Sequence, residues 1–136
     1  MHKELVIRIE IPRGGFIKRE LHDGSRVSFV SPLPCPFNYG YILDSSGEDG
    51  DPQDAIFFGR ACEVGDEVVG RAVGRVLFLD KGERDNKTIV SDTPLSSGQR
   101  RALKAFFTMY ALGKRLLSIL TLKWGVKSRF EGVEIF

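Results

Sequence analysis

Near the start of the chain, Leu5, Ile7, Ile9 and Ile11 fall on one parity, and Val6, Arg8 and Glu10 fall on the other. A repeat of two is the period of an extended strand, so the segment predicts a strand with an aliphatic face opposite one carrying Arg8 and Glu10. Pro12-Arg13-Gly14-Gly15 ends it, because proline offers no amide hydrogen and adjacent glycines admit turn conformations. Further strand-type runs are expected at 16–21, 26–30, 54–58, 67–79 and 88–90, separated by clusters of Gly, Asp, Ser and Pro. Many short strands at such spacing point to a barrel or a sandwich.

The pattern changes to a helical one after Ser96. Ser96 with Gln99 three residues on has the form of a capping box, and Leu103, Phe106, Phe107 and Tyr110 then recur at helical spacing. Gly113 is the expected stop, the stretch 116–122 reads equally as helix or buried strand, and the tail to Phe136 reads as irregular structure with one strand. No internal repeat, low-complexity segment or linker divides the chain, so one domain is expected over 1–136.

Composition narrows the class. With 42% hydrophobic residues and 10 Phe among 136 residues, the chain can build a core without a staple. Cys35 and Cys62 have no C-x-x-C spacing, which excludes a zinc ribbon, a redox dithiol and a disulfide scaffold, and suits a reduced cytoplasmic setting. No apolar run resembles a signal peptide or approaches a membrane span, so no membrane association is expected. A net charge of +2, from 20 Lys+Arg against 18 Asp+Glu spread along the chain, does not suggest a nucleic-acid partner. His2 and His22 lack ligand spacing and read as surface residues.

The densest chemistry lies in Glu48-Asp49-Gly50-Asp51-Pro52-Gln53-Asp54, directly before the apolar run Ala55-Ile56-Phe57-Phe58. Gly50 and Pro52 shape a turn, and the strand after it gives the last carboxylate the rigid support that a hard divalent cation needs from oxygen ligands. Alone, such a D-x-D-x-x-D segment reads equally well as a solvated hairpin loop. An EF-hand is excluded: counted from Asp49, Asp54 stands where glycine is required and Arg60 where the bidentate Glu belongs. A second acidic pair, Asp80 and Asp85, lies in a charged turn before Thr88.

Taken in order, Ile9-Glu10-Ile11-Pro12-Arg13-Gly14, Lys18 and Glu20, Asn38-Tyr39-Gly40-Tyr41, the segment from Glu48 to Asp54, and Asp80…Asp85-x-Lys87 resemble the soluble family I inorganic pyrophosphatases. The likeness runs from about Val6 to Tyr110. It implies a mainly β, α+β fold: a five-stranded OB-like closed barrel with one or two flanking helices. It also implies hydrolysis of inorganic diphosphate to two phosphates by a metal-activated water, with Mg2+ as cofactor, Mn2+ as a substitute, and a homo-oligomeric state. Carried over by motif, Asp49, Asp54 and Asp85 would bind the metals that generate the nucleophile, and Asp80 with Asp85 a further metal arriving with the substrate. Asp51 would be the general base, Lys18, Tyr39, Lys87 and Tyr110 would contact phosphate, and Glu10 and Glu20 would act from behind or through water. The chemistry is consistent in itself, since so many carboxylates in one cavity repel unless divalent cations hold the charge.

Two positions depart from the family. Val27 stands where a substrate-binding arginine is expected, and Arg26 beside it points to the opposite face of a strand unless a bulge intervenes. Ala111 stands where a phosphate-binding lysine follows the tyrosine, with Lys114 one helical turn from Tyr110. Hence the alternatives are a member acting on another phosphoanhydride and a catalytically idle metal-binding relative. An OB-like oligonucleotide binder is disfavoured, because Phe57-Phe58 and Phe106-Phe107 read as core rather than as an exposed stacking platform.

Overall fold

The computed structural model describes residues 4–15, 17–20, 26–30, 34–43, 45, 52–80, 82–120 and 128–136. In chain order the elements are β1 (Glu4–Ile11), β2 (Ile17–Glu20), β3 (Arg26–Val30), β4 (Asn38–Ile42), β5 (Asp54–Phe58), β6 (Glu67–Asp80), β7 (Glu83–Arg84), β8 (Lys87–Ser91), α1 (Ser97–Leu120) and β9 (Arg129–Ile135). Five of the strands close into a ring in the order β1-β4-β5-β8-β6, with β6 returning to β1. All of these pairings are antiparallel except β5 with β8, which is parallel. The expected mainly β ring with a flanking helix is therefore present, and β2 and β3 form a separate two-stranded ladder.

Strand periodicity sorts the ring's side chains into two cores. Ile7 and Ile9, Ile42, Ala55 and Phe57, Val68 and Val90 bring residues from all five ring strands into one cluster, the ring interior. Ile56, Phe58 and Ile89, of the opposite parity on β5 and β8, pack with Leu103, Phe107 and Ala111 of α1, and so do Val76 and Phe78, which a register shift between Ala72 and Gly74 turns away from the side of Val68. Every ring strand thus has a cluster on its inner face, and the helix covers an outer one. Glu10 lies on the parity expected to be polar, yet it is only 1% exposed.

The hydrophobic pattern gives no sign of β4, because Asn38 and Gly40 are residues that favour turns. Tertiary contacts outweigh that preference. Asn38 Nδ2 donates to the carbonyls of Phe57 and Arg60, and its Oδ1 accepts from the Arg13 amide. Gly40 pairs with Ile9, and a Cβ there would run into the carbonyl group of Arg8 on β1.

Gly113 does not stop the helix, which continues to Leu120. The capping box forms at the start, with the Ser96 amide donating to Gln99 Oε1 and the Gln99 amide donating to Ser96 Oγ. A glycine inside a helix costs only about 1 kcal/mol relative to alanine, and α1 is already anchored by its apolar face. The ambiguous stretch 116–122 is helical as far as Leu120, and its last two residues lie outside the described ones. Among the described residues, no helix is long and apolar enough to cross a membrane.

Two substitutions should act in opposite directions. Gly40→Ala should destabilise the protein by about 3 kcal/mol through overpacking against β1, read as a lowered urea midpoint. Gly113→Ala meets open space and should stabilise by up to about 1 kcal/mol, read as a raised Tm.

Candidate active site

Parallel strands place residues of the same relative position at the same end. Ala55 of β5 is in register with Thr88 of β8, so the residues just before them, Asp54 and Lys87, enter the sheet side by side. The Lys87 ammonium lies 2.8 Å from Asp54 Oδ2 and 2.6 Å from Asp85 Oδ2. One nitrogen therefore joins two carboxylates from different parts of the chain. Lys87 is 2% exposed, and its ammonium also stands 5.8 Å from the centre of the Tyr39 ring. Asp54 and Asp85 both lie near enough to act on the Tyr39 phenol by their charge.

The turn that carries Asp85 is held from the backbone. Asn86 Oδ1 accepts from the Phe78 amide, and the Asp85 amide donates to the Phe78 carbonyl. On the other side of the turn, Asp80 ends β6. Its Oδ2 accepts from Lys114 Nζ at 2.7 Å and its Oδ1 from Ser128 Oγ at 2.9 Å. Lys114 Nζ lies 5.1 Å from the centre of the Tyr110 ring, and that ring packs on Phe78. Just before β5, the Gln53 amide donates to Ser45 Oγ and its Nε2 donates to Thr88 Oγ1.

Burial and charge compete here. Burial alone would lower the Lys87 pKa, but the attraction of Asp54 and then Asp85 outweighs it and holds the ammonium above the ordinary lysine range. Burial, followed by the negative charge of Asp54 and Asp85, pushes the Tyr39 phenol well above its ordinary value. At neutral pH Lys87 is therefore a cation and Tyr39 a hydrogen-bond donor, the two states in which either can meet an anion.

The structure brings Tyr39, Asp54, Asp85 and Lys87 together, and it places Asp80 and Tyr110 around Lys114. Asp80 and Asp85 share the same turn, but each is engaged by a different lysine. Lys18 and Glu20 fall on β2. Asp49 and Asp51 lie outside the described residues. Among the described residues, no three carboxylate, imidazole or thiol groups converge as a ready metal cage. The donor set nevertheless fits a hard divalent cation: Asp54 and Asp85 offer carboxylate oxygens close enough to share one positive charge, while both cysteines are buried in the apolar clusters. Lys87 supplies that charge in this structure.

The two departures noted in the sequence look different in three dimensions. The β2–β3 ladder shifts register between Lys18 and Arg19, where β3 has one residue more. The backbone irregularity required before Arg26 could take the place of Val27 is therefore present. Ala111 is 0% exposed and belongs to the cluster beneath α1, so it is a core position. Asn86 and Ser128 join the site without having been expected there. Asn86 had only the weak signal of a turn asparagine, and Ser128 had none, since a strand from the far end of the chain delivers it.

The family profile described as inorganic pyrophosphatase matches residues 7–116. An inorganic pyrophosphatase of Thermoplasma volcanium is 31% identical over 150 aligned positions, covering 94% of this chain and 86% of that protein. A soluble inorganic pyrophosphatase of Oryza sativa is 37% identical over 87 residues, 60% of this chain and 41% of the plant protein. The chain spans about half the length of several curated relatives it matches, such as those of Chlamydomonas reinhardtii at 51% and Saccharolobus solfataricus at 54%. Among solved structures, the inorganic pyrophosphatase of Helicobacter pylori superposes with a TM-score of 0.77 at 25% identity, covering 98% of this chain and 85% of that one.

The ammonium between two carboxylates gives a direct test. Lys87→Met leaves Asp54 and Asp85 facing each other and should cost about 3 kcal/mol in urea unfolding at neutral pH without divalent metal. Added Mg2+ should recover part of the loss.

Proposed function

Since the chain belongs to the inorganic pyrophosphatase family, we propose that it hydrolyses inorganic diphosphate to two phosphates in a Mg2+-dependent reaction, as one domain spanning 1–136. The supporting observation is the meeting of Tyr39, Asp54, Asp85 and Lys87, residues far apart in sequence, at the shared end of β5 and β8. An apolar or purely structural site has no need of a buried ammonium held between two carboxylates.

The role of each residue follows from its chemistry. Asp54 and Asp85, with Asp49 from the acidic loop and Asp80 across the turn, would hold the divalent ions. When bound, these ions supply charge neutralisation and a water acidic enough to yield a nucleophile near neutral pH. Asp51 would take the proton from the attacking water. Lys87 and Tyr39 would stabilise negative charge on the phosphoryl oxygens, the ammonium as a point charge and the phenol as a donor. Tyr110 would donate from the helix side, Lys18 from β2, and Glu10 and Glu20 would orient waters and cations.

Mn2+ would substitute for Mg2+, because a carboxylate site of this kind selects weakly among hard divalent ions. A reducing cytoplasm suits the protein, whose Cys35 and Cys62 are both free and buried. The homo-oligomeric state is part of the same proposal by family resemblance.

The test is phosphate release from magnesium diphosphate at slightly alkaline pH. Wild-type protein should turn over, EDTA should stop it, and Asp51→Asn should lower the rate by at least about 100-fold while leaving Mg2+ binding by calorimetry largely unchanged. An Asp51→Asn protein as fast as wild type would remove Asp51 as the base.

A further inference from the structure

The helix that packs Ala111 into the core delivers a different cation one turn further on. With no interruption at Gly113, α1 brings Lys114 back over the Tyr110 ring and onto Asp80. The Lys114 side chain is 23% exposed, so it is neither sealed in the core nor free in solvent. Ser128, itself buried, donates to the other oxygen of Asp80, so the carboxylate is held from a second side while the Lys114 ammonium stands at the end of a rotatable stem. The methyl of Ala111 is fully covered, so position 111 cannot present a charge to an anion without opening the cluster beneath the helix.

We propose that Lys114 is a diphosphate-binding residue: its ammonium rests on Asp80 until a divalent cation takes that carboxylate, and then turns to a phosphate oxygen. The proposal rests on the diphosphatase reading above and adds to it the residue that supplies positive charge from α1. Its logic is ion exchange. A carboxylate cannot give its full charge to both an ammonium and a divalent cation, so a cation held by Asp80 would free the Lys114 ammonium to meet an anion. Lysine suits such a handover better than arginine, because its charge is compact and its stem has free rotation. A surface ion pair of purely structural purpose would have no effect on anion binding.

The experiment compares wild type with Lys114→Met and Lys114→Arg, using two calorimetric titrations and a KM measurement. The non-hydrolysable imidodiphosphate, titrated in saturating Mg2+, should bind Lys114→Met about tenfold more weakly than wild type, as expected for one lost charge-assisted contact. KM for diphosphate should rise by a similar factor, and Lys114→Arg should restore most of both. Mg2+ titrated without any diphosphate should bind Lys114→Met more tightly than wild type, since no ammonium competes for Asp80. Thermal unfolding of each variant checks that α1 and the ring remain folded. Equal imidodiphosphate affinity and KM in wild type and Lys114→Met would overturn the proposal while leaving the diphosphatase reading intact. A wild-type protein that neither binds imidodiphosphate nor hydrolyses diphosphate would instead overturn that reading itself.

Discussion

The parallel pairing of β5 with β8 is the constraint on which the site depends. Two parallel strands cannot be joined by a tight turn, so the chain must leave β5, run through β6 and the β7 turn, and come back before β8 can begin. That detour brings the acidic turn of Asp80 and Asp85 to the same end of the sheet as Asp54. Were the pair antiparallel, the starts of the two strands would lie at opposite ends, and Lys87 could not span Asp54 and Asp85. The local charge balance is thus a result of topology, and side-chain choice only completes it.

The same strands serve two cores, and this explains why the site is rigid at its base. Asp54 and Lys87 sit at the first positions of strands whose following residues, Ala55, Ile56, Phe57 and Ile89, are almost wholly buried. Close packing on both faces restricts any sliding of β5 against β8. The carboxylates and the ammonium therefore meet in a fixed frame, while the residues engaged on the helix side depend on a single amphipathic element, α1. The carboxylates of Asp54 and Asp85 at the base and the longer-stemmed Lys114 on the helix side are thus held by different parts of the fold.

Much of this is legible in the sequence, for identifiable reasons. The alternation in β1 and the Ser96–Gln99 box report local structure; the box is realised, and the alternation holds as far as Ile9, beyond which a register shift puts Ile11 in the cluster beneath α1 and Glu10 is buried. What escapes the sequence depends on distant partners. β4 is hidden because the local preferences of Asn38 and Gly40 run against the roles they fill, one stitching Arg13, Phe57 and Arg60 together and the other letting β1 approach. Gly113 reads as a stop because propensity is local, whereas helix continuation follows the burial of Leu103, Phe107 and Ala111. The motifs mark Asp54, Asp85 and Lys87 through family resemblance, but their joining by one ammonium needs the parallel register. Ser128 cannot be read at all, since nothing in the sequence around it indicates that β9 will lie along β6.

β6 has a 14-residue span along which one edge is shared by β1 and then by β9, with β8 on the other. The ladder that closes the ring, β1 with β6, joins residues such as Arg8 and Glu67 that are 59 positions apart. Closing a loop of that length carries an entropic cost that grows as about (3/2)RT ln n, and it must be met before the interior cluster can form. Long-range closure of this kind slows folding, and here it falls where the first strand meets the opening residues of the longest one, Glu67–Arg71.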